Sequence, residues 1–215
     1  MPAERKDKSR ASLLRVWLVI AASTALLLLM LRFDVQLLRW RDAFKHVEPH
    51  GALAQLLGGF RSFGEFLTTI VVIFIAAAYD RRRKNIIVAL LIAQALSMIV
   101  YNAGKYAVVR QRPFHAVEQV ALEELSASQT WLGWRLGNKT FETRSFPSGH
   151  SASAFAVAGI LAFFYPRLRW MFWGLAVACA TSRFVDVVHW PSDCVAGALI
   201  GYLSSVFAVS IAPKA

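Results

Sequence analysis

Two histidines and a carboxylate fall where apolar stretches of the sequence end. His189 and Asp193 lie between two apolar runs, and His150 begins a further run directly after Pro147. Pro147 is suited to the first position of a helix. Ionisable groups where apolar, membrane-spanning runs end are usually paired or functional. Neutral imidazole attacks phosphorus well when another group fixes its tautomer. The pattern predicts His189 as a nucleophile, Asp193 as its orienting partner and His150 as the acid for the leaving oxygen.

Residues suited to binding a tetrahedral oxyanion lie near the same boundaries. Arg112 and Arg183 carry planar guanidinium groups that match phosphate oxygens, and Lys105 supplies a compact positive charge. Ser148 and Gly149 lie at a predicted helix start, where free backbone N–H groups and the helix dipole favour an anion. These five residues are the candidate phosphate-binding set.

Each feature alone also has a simpler interpretation. Ser-Gly-His at a helix start is commonly a turn with an N-cap. Lys105 and Arg112 could anchor helix ends at the membrane interface or contact anionic headgroups, and His189 beside Trp190 could be another anchor. Paired histidines sometimes bind metal, but no set of ligand residues has a recognisable spacing. Three further histidines lie outside any motif: His46, His50 and His115.

The composition is that of a membrane protein. The chain has 215 residues, of which 57% are hydrophobic, and this favours a single polytopic membrane domain over residues 1–215. Its formal net charge is +11. The basic residues lie between apolar segments rather than along one stripe, which argues against nucleic-acid binding. Cys179 and Cys194 lie in or beside apolar runs and are interpreted as packing residues.

The order of apolar and polar segments predicts an all-α fold, a bundle of six transmembrane helices. The expected spans are about 16–31, 63–79, 86–106, 147–165, 170–187 and 192–211. Within the mixed segment 33–62, the helical spacing of Leu53, Leu56, Leu57 and Phe60 predicts an amphipathic helix in the membrane interface between the first two spans. Residues 1–15 form a basic tail, and residues 107–146 form the one sizeable loop outside the membrane.

Charge bias predicts the orientation of these spans. Basic residues strongly outnumber acidic ones in the tail and in the two turns that share its side, 80–84 and 166–169. The positive-inside rule therefore places both termini in the cytoplasm. The end of span three, the start of span four and the turn between spans five and six then emerge together on the outer face, where one pocket could collect all the candidate residues.

The candidate residues together resemble the three-part motif of the type 2 phosphatidic acid phosphatases, which also occurs in vanadium haloperoxidases and soluble bacterial acid phosphatases. The matching residues are Lys105, Arg112-Pro113, Pro147-Ser148-Gly149-His150, Ser182-Arg183, His189 and Asp193. The resemblance implies phosphate binding by Lys105, Arg112, Ser148, Gly149 and Arg183. It implies a phosphohistidine on His189 oriented by Asp193, with His150 as acid and then base, and no metal or cofactor. Six apolar spans disfavour a haloperoxidase.

We therefore expect a membrane-embedded lipid phosphatase that hydrolyses a phosphate monoester or diphosphate at the outer face, in a bacterial inner membrane. The substrate would be a membrane lipid: polyprenyl diphosphate or phosphatidylglycerol phosphate foremost, or phosphatidic acid or lipid A phosphate. One alternative is a phosphotransferase that replaces water by another hydroxyl. Another is a lipid flippase or scramblase without catalysis, although binding alone needs neither a nucleophile nor an acid.

Overall fold

Residues 2–45, 55, 58–134, 136 and 140–212 are described by a computed structural model, and they form a mostly helical protein. Its helices are α1 (Pro2–Lys45), α2 (Phe66–Tyr79), α3 (Arg83–Ala107), α4 (Pro113–Gln119), α5 (Ala127–Thr130), α6 (Gly149–Phe164), α7 (Arg169–Val185) and α8 (Pro191–Ile211). Two short strands, β1 (Val108–Arg110) and β2 (Trp131–Trp134), and two 3₁₀ turns, Arg61–Gly64 and Pro166–Leu168, complete the described elements.

Three helices of the described chain are long and apolar enough to cross a membrane: the Val16–Ala43 part of α1, α3 and α8. A fourth span results if α2 and the helical segment Gly58–Gly64, which meet at a bend of 65°, cross together. Helices α6 and α7 have 16 and 17 residues. At 1.5 Å per residue they reach about 25 Å, less than a typical hydrocarbon layer. A helix lies at each of the six predicted ranges, and the count of six spans stays a prediction.

Helix α1 extends further than expected. It continues through residues 33–45, which we expected to be a mixed segment after the first span. This stretch contains neither glycine nor proline, so no residue interrupts the helix. Val35 and Leu38 on the extension are buried in a cluster with Leu125 and Trp190. The end of α1 therefore packs against the segment 107–146 and the start of α8.

The predicted interfacial helix falls mostly outside the described residues. Leu53, Leu56 and Leu57, which supported it, all lie there. Phe60 belongs to the helical segment Gly58–Gly64. The interfacial helix therefore stays a prediction.

Helix α6 lies at the centre of the bundle and contacts α3, α7 and α8. Its buried surface consists largely of alanine, and α8 meets it with glycine. A Cβ atom added to Gly201 would lie 2.1 Å from the carbonyl oxygen of Ala152, and one added to Gly197 would lie 2.3 Å from that of Ser148. Small residues thus let the backbones of α6 and α8 approach closely.

The segment 107–146 contains a small sheet that the all-α prediction missed. β1 pairs with β2 in antiparallel register, with Val108 opposite Trp134 and Val109 opposite Gly133. β-branched and aromatic residues favour extended backbone, although runs this short carry little signal in a sequence. The sheet matters for the site because β1 follows α3 directly and carries Arg110 back into the protein, where it is completely buried.

Candidate active site

A cavity of about 660 Å³ collects six of the eight predicted site residues. Its polar wall contains Lys105, Arg112, Gly149, His150, Arg183 and His189. Its apolar wall includes Phe66 and Leu91 on α2 and α3, two side chains that are largely exposed on the outside of the bundle. The cavity therefore joins a polar, cationic pocket to the apolar surface of the helices.

The three predicted phosphate ligands are buried cations at the ends of different elements. Lys105 lies in the last turn of α3, Arg112 directly precedes α4, and Arg183 lies in the last turn of α7. The Lys105 Nζ donates to the carbonyl oxygen of Arg144 at 3.0 Å. The Arg183 Nη1 donates to Asp186 Oδ2 at 2.9 Å, while its buried Nε has no partner among the described residues. All three cations line the cavity.

Arg112 is fixed by the backbone rather than by a carboxylate. Its Nε donates to the Phe141 carbonyl at 2.8 Å and its Nη1 to the Val188 carbonyl at 3.0 Å. Burial foremost, together with the charge of Arg183 and against the attraction of Asp193, lowers the pKa of Arg112 to about 10. The guanidinium therefore stays charged at neutral pH, and its carbonyl partners leave that charge available to an anion.

The start of α6 differs from the prediction in detail. Helix α6 begins at Gly149 with Ser148 as N-cap, so Pro147 precedes the helix instead of occupying its first position. Ser148 is completely buried behind the cavity wall, where its Oγ accepts hydrogen bonds from Ser151. Its backbone N–H donates to the Asp193 carbonyl at 3.0 Å. Gly149 and His150 line the cavity, whereas Ser148 does not.

His189 lies in the connection between α7 and α8 and is only 3% exposed. Its Nε2 is 3.5 Å from Arg112 Nη1 on the cavity side. Its Nδ1 faces Asp193 Oδ2 at 3.5 Å, an ion-pair separation somewhat longer than a good hydrogen bond. Burial lowers the pKa of His189 to about 3, and the charges of Lys105 and Arg112 add to this effect against the attraction of Asp193. The imidazole is therefore neutral at neutral pH.

The backbone before His189 holds an unusual conformation. Val187 has a φ of 59°, in the left-handed region that β-branched residues rarely adopt. Its carbonyl accepts from Phe114 N–H at 3.1 Å, and the His189 N–H donates to the Arg183 carbonyl at 3.2 Å. These contacts fix the connection that carries the histidine. Such strain is typical of functional sites.

Asp193 lies behind His189 and has more partners than predicted. It is in the first turn of α8, as expected, and is completely buried. Its Oδ2 accepts from Ser145 Oγ at 2.5 Å and from Trp190 N–H at 3.0 Å, and its Oδ1 accepts from Arg110 Nη1. Asp193 is thus one member of a buried ionic cluster.

Arg110, Asp34 and Glu65 are further charged residues of the site that we did not predict. Arg110 also pairs with Asp34 of α1 at 2.5 Å, and both side chains are almost completely buried. Glu65 lines the cavity and pairs with Arg61 at 3.1 Å. The available signal for Asp34 was a carboxylate at the end of an apolar run, and for Arg110 a basic residue between Lys105 and Arg112. Among described residues, no group of three or more His, Cys, Asp and Glu is placed to hold a metal ion.

The fold is similar to those of two solved structures. The crystal structure of Aquifex aeolicus LpxE aligns with a TM-score of 0.58 at 22% identity, covering 79% of this chain and 93% of that one. The first transmembrane PAP2 type phosphatidylglycerolphosphate phosphatase from Bacillus subtilis aligns with a TM-score of 0.52 at 18% identity, covering 87% and 92%. At these identities the likeness shows the fold.

Curated relatives match part of the chain. The bacitracin transport permease protein BcrC of Bacillus licheniformis is 40% identical over 33% of this chain and 34% of its own. Lipid A 1-phosphatase of Rhizobium johnstonii is 33% identical over 46% and 37%, and undecaprenyl-diphosphatase of Sulfolobus acidocaldarius is 28% identical over 58% and 54%. The matches thus span about a third to a half of these relatives.

The resemblance drawn from the motif residues is confirmed by a family model. The model of the PAP2 superfamily matches residues 84–215, a range that contains all eight predicted site residues. This match covers well over half of the chain. The described residues also include three helices that are long and apolar enough to cross a membrane, as in an integral membrane protein. The chain therefore belongs to the PAP2 superfamily.

Proposed function

We propose that the protein is a lipid phosphatase that transfers a phosphoryl group from a membrane lipid to His189 and then to water. The cavity that combines three buried cations with a neutral histidine carries this proposal. His189 Nε2 lies 3.5 Å from Arg112 Nη1. A phosphoryl group bound to Arg112 would therefore lie within reach of the imidazole. Relatives named as phosphatases support the same activity.

Binding comes first. Lys105, Arg112 and Arg183 hold the phosphate oxygens, and the N–H groups at the start of α6 around Gly149 add neutral donors. Ser148 contributes by capping α6 from behind the cavity wall. Because the cations are fixed before the substrate arrives, they stabilise the charge that spreads over the transferring group without reorganisation.

The first chemical step forms a phosphohistidine. The lone pair on His189 Nε2 attacks phosphorus while the proton stays on Nδ1, which faces Asp193. The bond from phosphorus to the lipid oxygen breaks, and His150 protonates that oxygen as it leaves. The ring of His189 becomes positively charged, and Asp193 stabilises it.

The second step regenerates the enzyme. His150, now neutral, takes a proton from a water molecule, whose oxygen attacks the phosphorus. The bond from phosphorus to Nε2 breaks and returns its electron pair to the ring. Inorganic phosphate leaves the cavity. The buried cations provide the charge stabilisation throughout, so we expect the reaction to proceed with no metal ion or cofactor and to tolerate a chelator.

The substrate is an amphiphile with a phosphate or diphosphate headgroup. The cavity supports this because its cationic part adjoins exposed apolar side chains such as Phe66 and Leu91. The names of the relatives point to two lipids, undecaprenyl diphosphate and lipid A phosphate, and the name of a structural neighbour points to phosphatidylglycerol phosphate. We favour a polyprenyl diphosphate or phosphatidylglycerol phosphate over lipid A phosphate and phosphatidic acid.

The proposed arrangement in the membrane has six spans, cytoplasmic termini and a cavity at the outer face of a bacterial inner membrane. Six apolar helices and the basic residues of the turns at 80–84 and 166–169 support it. In this arrangement residues 1–215 are one membrane domain, with a basic tail at 1–15 and an outer loop at 107–146.

Phosphate release by the purified protein tests the proposal. Wild type is assayed with the four lipids, with and without chelator, beside His189→Gln, His150→Gln and the control His115→Gln, whose histidine lies outside the cavity. We expect wild type to prefer one of the four lipids. Both cavity variants should lose at least about a thousandfold in kcat, as is typical for a nucleophile or its acid partner. The control should match wild type. Full activity in His189→Gln, or loss of activity with chelator, contradicts the mechanism.

The same assay separates the alternatives. A phosphotransferase releases the phosphorus as a new ester with the acceptor, which phosphorus-31 NMR distinguishes from inorganic phosphate. A flippase or scramblase moves a fluorescent lipid across a liposome bilayer without releasing phosphate. Either result in wild type replaces the proposed hydrolysis.

A further inference from the structure

Two carboxylates and one guanidinium form a buried cluster behind His189. Asp34, Arg110 and Asp193 are each at most 1% exposed. The Arg110 Nη2 donates to Asp34 Oδ2 at 2.5 Å, and its Nη1 donates to Asp193 Oδ1 and to Ser192 Oγ, the latter at 2.7 Å. The planar guanidinium group of Arg110 therefore connects Asp34 of α1 with Asp193, the carboxylate that faces His189.

Asp34 is held as firmly as Asp193. Besides Arg110, it accepts from the Ser192 N–H at 2.9 Å and from the Ser192 Oγ at 2.5 Å. Burial disfavours the charge on Asp34, and three donors, one of them a guanidinium, oppose this effect by stabilising the ionised form. The partners lie 76 and 158 residues away along the chain, so α1, β1 and α8 all meet at this point.

The charges of the cluster do not cancel. Two carboxylates and one guanidinium leave one negative charge in excess, and the neighbouring side chain is the neutral imidazole of His189. If Asp34 were absent, Arg110 would neutralise Asp193 alone, and the region behind the imidazole would carry no net charge. The second carboxylate therefore determines how well Asp193 stabilises a cation on the ring.

We infer that Asp34 and Arg110 are positioning residues for phosphoryl transfer: Arg110 fixes Asp193 against His189, and Asp34 keeps the cluster negative so that the cationic phosphohistidine is stabilised. This inference rests on the proposed function. It gives α1, which lies outside the residues matched by the family model, a role in catalysis as well as in the membrane. Neither residue contacts the substrate cavity.

The test compares two inhibitors. Vanadate resembles the pentacoordinate phosphorus bonded to His189, whereas inorganic phosphate resembles a bound ground state. Asp34→Asn keeps the size of the side chain and removes its charge. The control Asp42→Asn makes the same change on the same helix at a residue that is 43% exposed. All variants are purified in detergent, and Ki for both inhibitors, kcat and KM are measured beside thermal unfolding.

We expect Asp34→Asn to raise the Ki of vanadate and to lower kcat by about tenfold or more, a range found when outer partners of a functional histidine are removed. KM and the Ki of phosphate should stay within about twofold of wild type, since ground-state binding uses other residues. Asp42→Asn should match wild type in every value. A purely structural Asp34 would lower stability without changing the ratio of the two Ki values.

A second variant covers failure of the first to fold. Arg110→Lys keeps the charge but loses the fork, and it should raise the Ki of vanadate without changing that of phosphate. The inference is overturned if the ratio of the vanadate Ki to the phosphate Ki equals that of wild type in whichever of Asp34→Asn and Arg110→Lys folds, or in both if both fold. A wild type that neither releases phosphate nor binds vanadate contradicts the proposed function instead, so the two failures are distinguishable.

Discussion

His189 is a histidine whose surroundings disfavour its charged form at neutral pH. Burial lowers its pKa to about 3, with Lys105 and Arg112 acting in the same direction. In the proposed mechanism, the same environment keeps the Nε2 lone pair free for attack on phosphorus and surrounds the attacked group with positive charge. Asp193 alone opposes the shift, which suits a residue that acts once the ring becomes cationic.

This shift makes stability depend on pH. Between its usual pKa of about 6.5 in the unfolded chain and about 3 in the folded protein, the unfolded state binds one more proton at His189. Folding stability therefore falls as pH falls through this window, by up to about 1.4 kcal/mol per pH unit. His189→Gln has no such titration. We expect the stability of wild type relative to His189→Gln to fall by about 2 kcal/mol from pH 6.5 to pH 5.

Thermal unfolding of both proteins in detergent from pH 7.5 to pH 5 measures this difference, because other titrating groups are common to both. His115→Gln, at a histidine outside the cavity, serves as control and should follow wild type. A constant difference between wild type and His189→Gln across the range contradicts the depressed pKa.

The motif residues could be predicted because each short motif has a fixed spacing and falls at the end of an apolar run. That reasoning identified Lys105, Arg112 and His150, which the cavity indeed brings together. Arg110 and Asp34 could not be predicted, because a pair formed across 76 residues has no local pattern. The orientation of Ser148 also depends on tertiary contacts, since an N-cap side chain can face either the cavity or its own helix.

At the scale of elements, the site depends on how closely α6 and α8 pack. Gly201 of α8 lies against the backbone of Ala152, two residues after His150. Helix α8 also carries Asp193 in its first turn, so the distance between these helices affects the positions of both His150 and Asp193. A packing change remote from the cavity should therefore lower both the folding stability and kcat.

Gly201→Ala tests this packing. Its Cβ would lie 2.1 Å from the Ala152 carbonyl oxygen, so the helices must separate. We expect a loss of stability of about 1–3 kcal/mol, typical of an overpacked core, together with lower kcat. Gly174→Ala on α7 is the matched control, since nothing lies within 4 Å of its added Cβ. It should stabilise the helix by about 0.5–1 kcal/mol. Equal effects of both changes in thermal unfolding contradict the close packing.

The helices could be predicted where charged or polar residues flank a long apolar run, as in α3 and α8. The extension of α1 was missed because residues 33–45 mix apolar and polar side chains, such as Arg39 and Arg41, and no apolar run marks the helix there. In the structure these two side chains donate to backbone carbonyl oxygens, Arg39 to that of Leu122 and Arg41 to that of Val185. The strands β1 and β2 are three and four residues long, too short for periodicity to identify.

At the scale of the whole molecule, the proposed orientation predicts which positions reach the outside. Leu136 lies in the 107–146 segment and is 92% exposed, and Leu168 lies in the turn between α6 and α7 and is 49% exposed. The natural cysteines are both buried. We expect an impermeant maleimide to label Leu136→Cys in spheroplasts and to label Leu168→Cys only after the membrane is permeabilised. Labelling in the reverse order contradicts the orientation.

Three distant parts of the chain meet at one cavity, and the proposed chemistry needs the phosphorus to bond with one atom there. Rapid quenching of the purified protein with its preferred lipid, labelled with phosphorus-32 at the reacting phosphate, tests that bond directly. We predict an acid-labile, alkali-stable label that tandem mass spectrometry locates on His189 in wild type and that is absent from His189→Gln. Steady turnover with no label on the protein, or with the label on another residue, contradicts the mechanism.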